Sequence, residues 1–310
     1  MKQTTENVLM VKPANFRSNE ETLANNYYQK RDTPFQSMES SAILEFTNFV
    51  AKLREHGIHV LVCEQEDGID TPDAHFPNNW ISFHQNGNII VYPMFAENRR
   101  KERRKSIINT IINTGFSSTK TIDYSFYEST NQFLEGTGSL VLDRTNRIAY
   151  AAISDRTDIT LFELFCQEHN FKSVPFQANQ TVSDKRVPIY HTNVMMCVAE
   201  TFAVICLDSI DNHEERKTVI HSLEQSGKKI ITITEKQVES FAGNMLQLRN
   251  QKGQRFLVMS TQAFQSLNKS QLNAIENECE IIHSPINTIE TYGGGSARCM
   301  IAEIFLPKTN

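Results

Sequence analysis

The sequence predicts a mixed α/β fold, a pseudo-five-fold, propeller-like ring of ββαβ units. Three observations predict it. Five times along 310 residues, a polar, small-residue segment leads into an apolar strand, usually the first arm of a hairpin. Helical patterns separate the hairpins, and short apolar strands follow the helices. The unit recurs at roughly 50–60 residues, within the range of periods that marks repeat architectures. Closing such units about an axis removes exposed sheet edges. An open α/β sheet is the alternative that the same elements allow.

The elements follow in order. An N-terminal strand, VLMVKP, is placed to pair with the last unit and close the ring. A helix over Glu39–His56 and a strand over His59–Glu64 complete a unit at the front. The first polar leader, Pro77-Asn78-Asn79, enters WISFHQNGNIIVYP, where Asn86-Gly87 is a hairpin-turn signal. The second, Leu134 to Gly138, enters SLVLDRTNRIAYAAIS, and the third, His191-Thr192-Asn193, enters VMMCVAETFAVICL. The fourth, Ala242-Gly243-Asn244, enters MLQLRNQKGQRFLVMS, and the fifth, Gly293 to Cys299, enters MIAEIFL. Helices are expected over Asn98–Thr114, Thr157–Asn170 and Asn212–Gly227, each ending near a Gly or Asn stop. KKIITIT and CEIIH read as the strands that follow helices. No Pro/Gly/Ser linker interrupts the pattern, so residues 1–310 are expected to form one domain. The five leaders then converge at one end of the axis.

Composition narrows the class. Net charge is −5 with both signs dispersed. The one dense basic run, Arg99 to Lys105, is interrupted by Glu102 and precedes an amphipathic pattern. It reads as a solvated helix face rather than a nucleic-acid patch. The N-terminus lacks the apolar region of a signal peptide. No apolar run approaches the roughly 20 residues of a membrane span. Six cysteines without CxxC spacing argue against a disulfide framework and a zinc site, which fits the cytoplasm. No metal or other cofactor is expected, since HExxH and calcium-loop spacings are absent. No nucleic-acid or membrane partner is expected. A homo-oligomer is possible, without an interface stripe to mark it.

A nucleophilic cysteine needs a polar, partly exposed setting that favours thiolate. Cys63, Cys197 and Cys206 lie inside apolar strands, Cys166 on a helix and Cys279 before a strand, and all read as packing. Cys299 differs, because Gly293-Gly294-Gly295-Ser296-Ala297-Arg298 precedes it. Glycines let backbone approach a ligand and leave amides free to bind developing charge. A phosphate loop is a weak reading, because GxGxxG is absent and no GK[ST] follows. A thiol also needs a base. His191 heads the third leader, and Glu135 stands in the second among small residues. Three leaders thus bring a carboxylate, an imidazole and a thiol to one ring of positions.

These residues match a known family. The stretches VLMVKPANF, DTPDAHFPNNWIS, YPMFAENRRKERR, LEGTGSLVLDR, YHTNVMMCV, GNML and GGGSARCMIAEIF resemble the arginine deiminase-like superfamily of guanidino-group modifying enzymes. That superfamily includes amidinotransferases and dimethylarginine dimethylaminohydrolases. Coverage runs nearly end to end, and the branch most resembled is the bacterial citrulline utilisation hydrolases. The resemblance implies a five-bladed α/β propeller. It implies Cys299 as nucleophile, His191 as acid/base and Glu135 as the acidic residue. It implies Arg156 as a grip on the substrate carboxylate, with Arg99 or Arg100 as a second contact. Asp73 and Phe76 match the start of a substrate-binding stretch, and Asn193 joins the candidate contacts. One departure is informative: Asn78-Asn79 stands where guanidine hydrolases often carry an acidic pair. An amide both donates and accepts, whereas a carboxylate only accepts, so these positions suit a neutral ureido group.

The expected reaction is attack by Cys299 on a ureido or guanidino carbon, with His191 protonating the departing nitrogen. Glu135 is expected to hold the substrate N–H groups or to set the charge of His191, and amides near Gly294–Ser296 to stabilise the tetrahedral intermediate. Citrulline would give ornithine, carbon dioxide and ammonia. Arginine or methylarginine deimination, amidino transfer, a non-catalytic ring and an unrelated thiol hydrolase are the alternatives.

Overall fold

The computed structural model describes residues 1–23, 25–30, 35–64 and 68–309. Among these, the strands form five three-stranded sheets and one separate two-stranded hairpin. Four sheets run consecutively. The first combines Ile81–Phe83, Asn88–Val91 and Lys120–Asp123, and the second Val141–Asp143, Ile148–Ala152 and Lys172–Phe176. The third combines Met196–Val198, Phe202–Ile205 and Lys229–Thr232, and the fourth Leu246–Arg249, Arg255–Ser260 and Glu280–Ser284. The fifth joins the chain ends: Ala302–Glu303, Asn7–Val11 and His59–Cys63.

Each sheet repeats one pattern: the first two strands are antiparallel, and the third is parallel to the second. A parallel neighbour needs a crossover, which helices supply. They are Phe35–Glu55, Lys105–Asn113, Ile159–His169 and His213–Gln225, with Thr261–Ser266 and Lys269–Glu276 together making the last. Their starts are written locally. Asp158 and Asn212 accept amides of the first turn, and Asn268 with Gln271 makes a capping box. The expected pairing of the N-terminal strand with the last unit is present, with Val8 opposite Glu303 and Leu9 opposite Ala302. The mixed α/β class is therefore as read. Among the described residues every sheet stays open at both edges, and no closed barrel is seen.

Two expectations need correction. The helix read over Asn98–Thr114 splits into a 3-10 turn, Asn98–Glu102, and the helix Lys105–Asn113. Its basic run is not a solvated face. Arg99 is 2% exposed and holds Glu102, Arg103 pairs with Glu128, and buried Arg104 reaches the carbonyl of Glu64. Besides the local Glu102, partners from distant segments draw these arginines inward: Asn79 for Arg99, Glu128 for Arg103 and the Glu64 carbonyl for Arg104, which a local reading of charge does not contain. The hairpin Asn179–Val182 with Lys185–Pro188 was also not anticipated. Its turn places Ser183 and Asp184 at positive φ without a glycine to signal it.

The leaders are tight and buried. Pro77–Asn79 is a 3-10 turn, and Gly136–Ser139 and Thr192–Met195 are single helical turns. Consecutive leaders are hydrogen-bonded to one another. Thr137 donates to the Asn78 carbonyl at 3.4 Å, and Thr192 to the Ser139 carbonyl at 2.6 Å. Asn244 donates to the Asn193 carbonyl at 3.0 Å and accepts from the Arg298 amide at 3.0 Å. This chain of contacts brings five sheet entrances together.

Candidate active site

His191 and Glu135 come from neighbouring leaders. His191 is held with its Nε2 2.8 Å from Glu135 Oε2. The other carboxylate oxygen accepts the Phe95 amide at 2.9 Å, and Arg156 Nη1 lies 3.6 Å from Oε2. Burial alone would raise the Glu135 carboxyl. The charge of Arg156 and the hydrogen bond from His191 outweigh it and bring the group down to about 2. Burial lowers the imidazole to about 4, against the opposing pull of Glu135. An ionised carboxylate only accepts, so Nε2 carries the proton and Nδ1 keeps its lone pair. Gly138 makes room for this arrangement: a Cβ there would stand 2.4 Å from Asn79 Nδ2 and 2.8 Å from His191 Nδ1.

Cys299 follows a π-helical turn, Ile289–Gly293, and the glycine segment. All six cysteines are buried free thiols, so exposure does not single this one out. Its surroundings do. Asn244 Nδ2 lies 3.2 Å and Asn193 Nδ2 3.7 Å from Sγ. The Cys299 amide donates to the Ser296 carbonyl at 2.9 Å. Burial raises the thiol, and the hydrogen bonds and the charge of Arg298 act against that rise.

Cys299 and His191 line one small pocket, with Asp73, Phe76, Asn79, Arg99, Arg156 and Tyr190. Arg156 lies over the Tyr190 ring at 4.8 Å, and its Nε has no partner. Arg99 grips Glu102 through Nε at 2.9 Å and Nη2 at 3.0 Å, and donates from Nη1 to Asn79 Oδ1 at 2.9 Å. That contact fixes the Asn79 amide and leaves its Nδ2 unpaired. Asp73 accepts from Asn19 at 2.7 Å through Oδ2, while Oδ1 is unpaired, and burial raises the carboxyl. The cavity wall thus offers one unsatisfied acceptor and two unsatisfied donors, each costly unless a ligand meets it. The N-terminal segment helps to wall the cavity: Asn26 Nδ2 and the Tyr190 hydroxyl both donate to the Gly294 carbonyl.

Other expected residues fall elsewhere. Arg100 does not line the cavity; it donates to the Met94 and Phe95 carbonyls and faces Glu128. Of the two arginines left open by sequence, Arg99 is the one at the cavity. Glu135 stands behind His191 with both oxygens engaged, not among the residues lining the cavity. Asn78 is fully buried beneath the wall with neither amide atom paired. Asn193 reaches the sulfur from outside the lining. Asn244, Tyr190 and Asn26 were not assigned from sequence. Asn244 was visible there only as part of the fourth leader.

Among the described residues, no three His, Cys, Asp or Glu side chains are grouped to hold a metal, and no helix is long and apolar enough to cross a membrane. No curated protein matches the sequence. A model of the family described as N,N dimethylarginine dimethylhydrolase, eukaryotic, matches residues 12–306. The fold is similar to that of apo ArgZ, an arginine dihydrolase from the ornithine-ammonia cycle in cyanobacteria. The identity is 13% and the TM-score 0.75, over 97% of this chain but 41% of that one. The isolated N-terminal domain of ArgZ, covalently bound to a reaction intermediate, matches at 15% identity and TM-score 0.73, over 97% of this chain and 99% of that one. A dimethylarginine dimethylaminohydrolase in adduct with 4-chloro-2-hydroxymethylpyridine matches at 13% identity and TM-score 0.65, over 97% and 100%. These structural likenesses show the mixed α/β fold.

Proposed function

The chain belongs to the N,N dimethylarginine dimethylhydrolase family of arginine-modifying enzymes, and on that premise we propose a cysteine-dependent hydrolase that cleaves citrulline to ornithine, carbon dioxide and ammonia. Its site is a small-molecule pocket in one domain, residues 1–310, whose five sheets we read as the blades of an α/β propeller. The hydrogen bonds between consecutive leaders support that reading.

The observation that carries the substrate is Asn79. Its Oδ1 is held by Arg99, so the unpaired group at the cavity is an N–H donor. A guanidinium has only N–H groups to present and cannot accept it, whereas a ureido oxygen can. Asp73 Oδ1 is the complementary acceptor for a ureido N–H. Arg156, with an open Nε, suits the amino-acid carboxylate.

In this reading the Cys299 thiol passes its proton to His191 Nδ1, and the thiolate attacks the ureido carbon. His191 returns the proton to the departing δ-nitrogen, which leaves as the amine of ornithine. The carbamoyl group remains on sulfur. Water, deprotonated by His191, then attacks the S-carbamoyl carbon, the sulfur leaves and takes the proton back from His191, and carbamate is released, which decomposes to carbon dioxide and ammonia. Glu135 fixes the tautomer and stabilises the imidazolium that forms.

A second reading, hydrolysis of arginine or a methylarginine, draws on the cavity carboxylate of Asp73 and on ArgZ being an arginine dihydrolase. Side-by-side turnover of citrulline, arginine, agmatine and methylated arginine decides between them. Citrulline as the preferred substrate, with ornithine formed, is expected. Turnover of arginine alone would reject the ureido reading.

A further inference from the structure

We infer that Asn244 is a positioning residue for the nucleophile, holding Cys299 Sγ in place and donating the hydrogen bond that favours its thiolate. This rests on Cys299 being the nucleophile and adds the group that prepares it.

The orientation of the Asn244 amide is fixed by its surroundings. Asn244 is fully buried. Its Oδ1 accepts from two successive backbone amides, Arg298 at 3.0 Å and Cys299 at 3.4 Å. Turning the group over would set an NH2 against two N–H donors, so its orientation is fixed. Nδ2 must then face the other way, where it meets the Asn193 carbonyl at 3.0 Å and Sγ at 3.2 Å. Both amide hydrogens have an acceptor, and one acceptor is the sulfur. A neutral thiol is a poor acceptor, whereas an anionic sulfur is a strong one, so the bond favours the charged form.

No nearby cation does this work better. The Arg298 guanidinium is turned to the Ile301 carbonyl and Glu303, both at 2.8 Å. His191 is held neutral by burial. Asn193 Nδ2 is farther from sulfur, at 3.7 Å. Gly243 sets the reach. A Cβ there would lie 2.3 Å from the Val194 carbonyl oxygen, so only glycine lets the fourth leader press against the third and deliver Asn244 to the sulfur.

The test is the pH dependence of Cys299 alkylation by iodoacetamide, mapped by peptide mass, in the wild type, Asn244→Asp and Asn244→Ala. Asn244→Asp keeps the acceptor for both amides but replaces the donor with a negative charge that itself raises the thiol, so Asn244→Ala, which removes the donor without adding charge, must shift the alkylation pKa in the same direction. The expected result is a rise in apparent thiol pKa of about one unit or more, a tenfold lower thiolate fraction at neutral pH. kcat should fall with it, KM for citrulline should change little, and the Asn244→Ala pH–rate profile should move to higher pH. Because either variant can misfold, the wild type supplies a second reading: the nitrogen-15 side-chain amide resonance of Asn244 should titrate with the alkylation pKa. An unchanged alkylation pKa in folded variants, or an amide that does not titrate, overturns the inference. Retained turnover in Cys299→Ala overturns the nucleophile reading as well. Loss of turnover there, with unshifted Asn244 variants, overturns this inference alone.

Discussion

At the scale of single residues, the site depends on close approach and on unpaired polar atoms. Gly138→Ala would place a methyl 2.4 Å from Asn79 Nδ2 and 2.8 Å from His191 Nδ1. Displacing either by about 1 Å is expected to lower kcat/KM on the order of 100-fold, with circular dichroism unchanged. Asn79→Asp replaces the open donor with an acceptor. Citrulline should then lose at least about tenfold in kcat/KM relative to arginine, because the lost contact is a hydrogen bond to the ureido oxygen. Equal losses for both substrates would remove Asn79 from the specificity argument. Sequence alone presented the thiol, imidazole and carboxylate because they stand at leader positions in small-residue surroundings. It did not present the role of Asn244, whose chemistry comes from an orientation fixed by amides 54 and 55 residues away. Nor could it choose between Glu135 against the substrate and Glu135 behind His191, since both roles suit a buried carboxylate.

At the scale of elements, the π-helical turn before the glycine segment is braced by Glu290. Its Oε1 accepts from the Ser296 hydroxyl at 2.6 Å, and burial raises its carboxyl to about 7. A carboxyl raised on folding contributes stability that is present below its unfolded pKa and is lost as pH rises through about 7. Glu290→Gln keeps the acceptor for Ser296 and removes the titration. Its stability should match wild type near pH 4.5 and exceed it above pH 7 by up to about 3 kcal/mol. Urea midpoints at both pH values check this, and a constant difference would place the titration elsewhere. The helices and strands of the repeat were legible because caps and apolar alternation are local signals. The break between Glu102 and Lys105 was not, since it answers to Glu128 and the Glu64 carbonyl.

At the scale of the whole molecule, the chain ends carry structural load. The strand Asn7–Val11 is the middle strand of the fifth sheet, between Ala302–Glu303 and His59–Cys63. Just before it, Gln3 donates to the Leu142 carbonyl at 2.9 Å and the Val198 carbonyl at 3.0 Å, and accepts from the Arg144 amide at 2.7 Å. It therefore ties the second sheet to the third. Gln3→Ala leaves buried backbone groups unpaired and should cost about 1–3 kcal/mol, read as a lower urea midpoint at constant m-value. The repeat was legible from the spacing of leaders, and so was the pairing of the two chain ends. The hydrogen bonds that join one leader to the next required coordinates, because their partners are backbone carbonyls.

In the proposed reaction Cys299 carries a carbamoyl group during turnover of a ureido substrate. Acid-quenched protein taken during citrulline turnover, digested and weighed by mass spectrometry, tests it most directly. A carbamoyl mass on the peptide containing Cys299, absent in Cys299→Ala together with all ornithine formation, is predicted. Continued ornithine formation by Cys299→Ala, with no covalent mass in wild type, would contradict it.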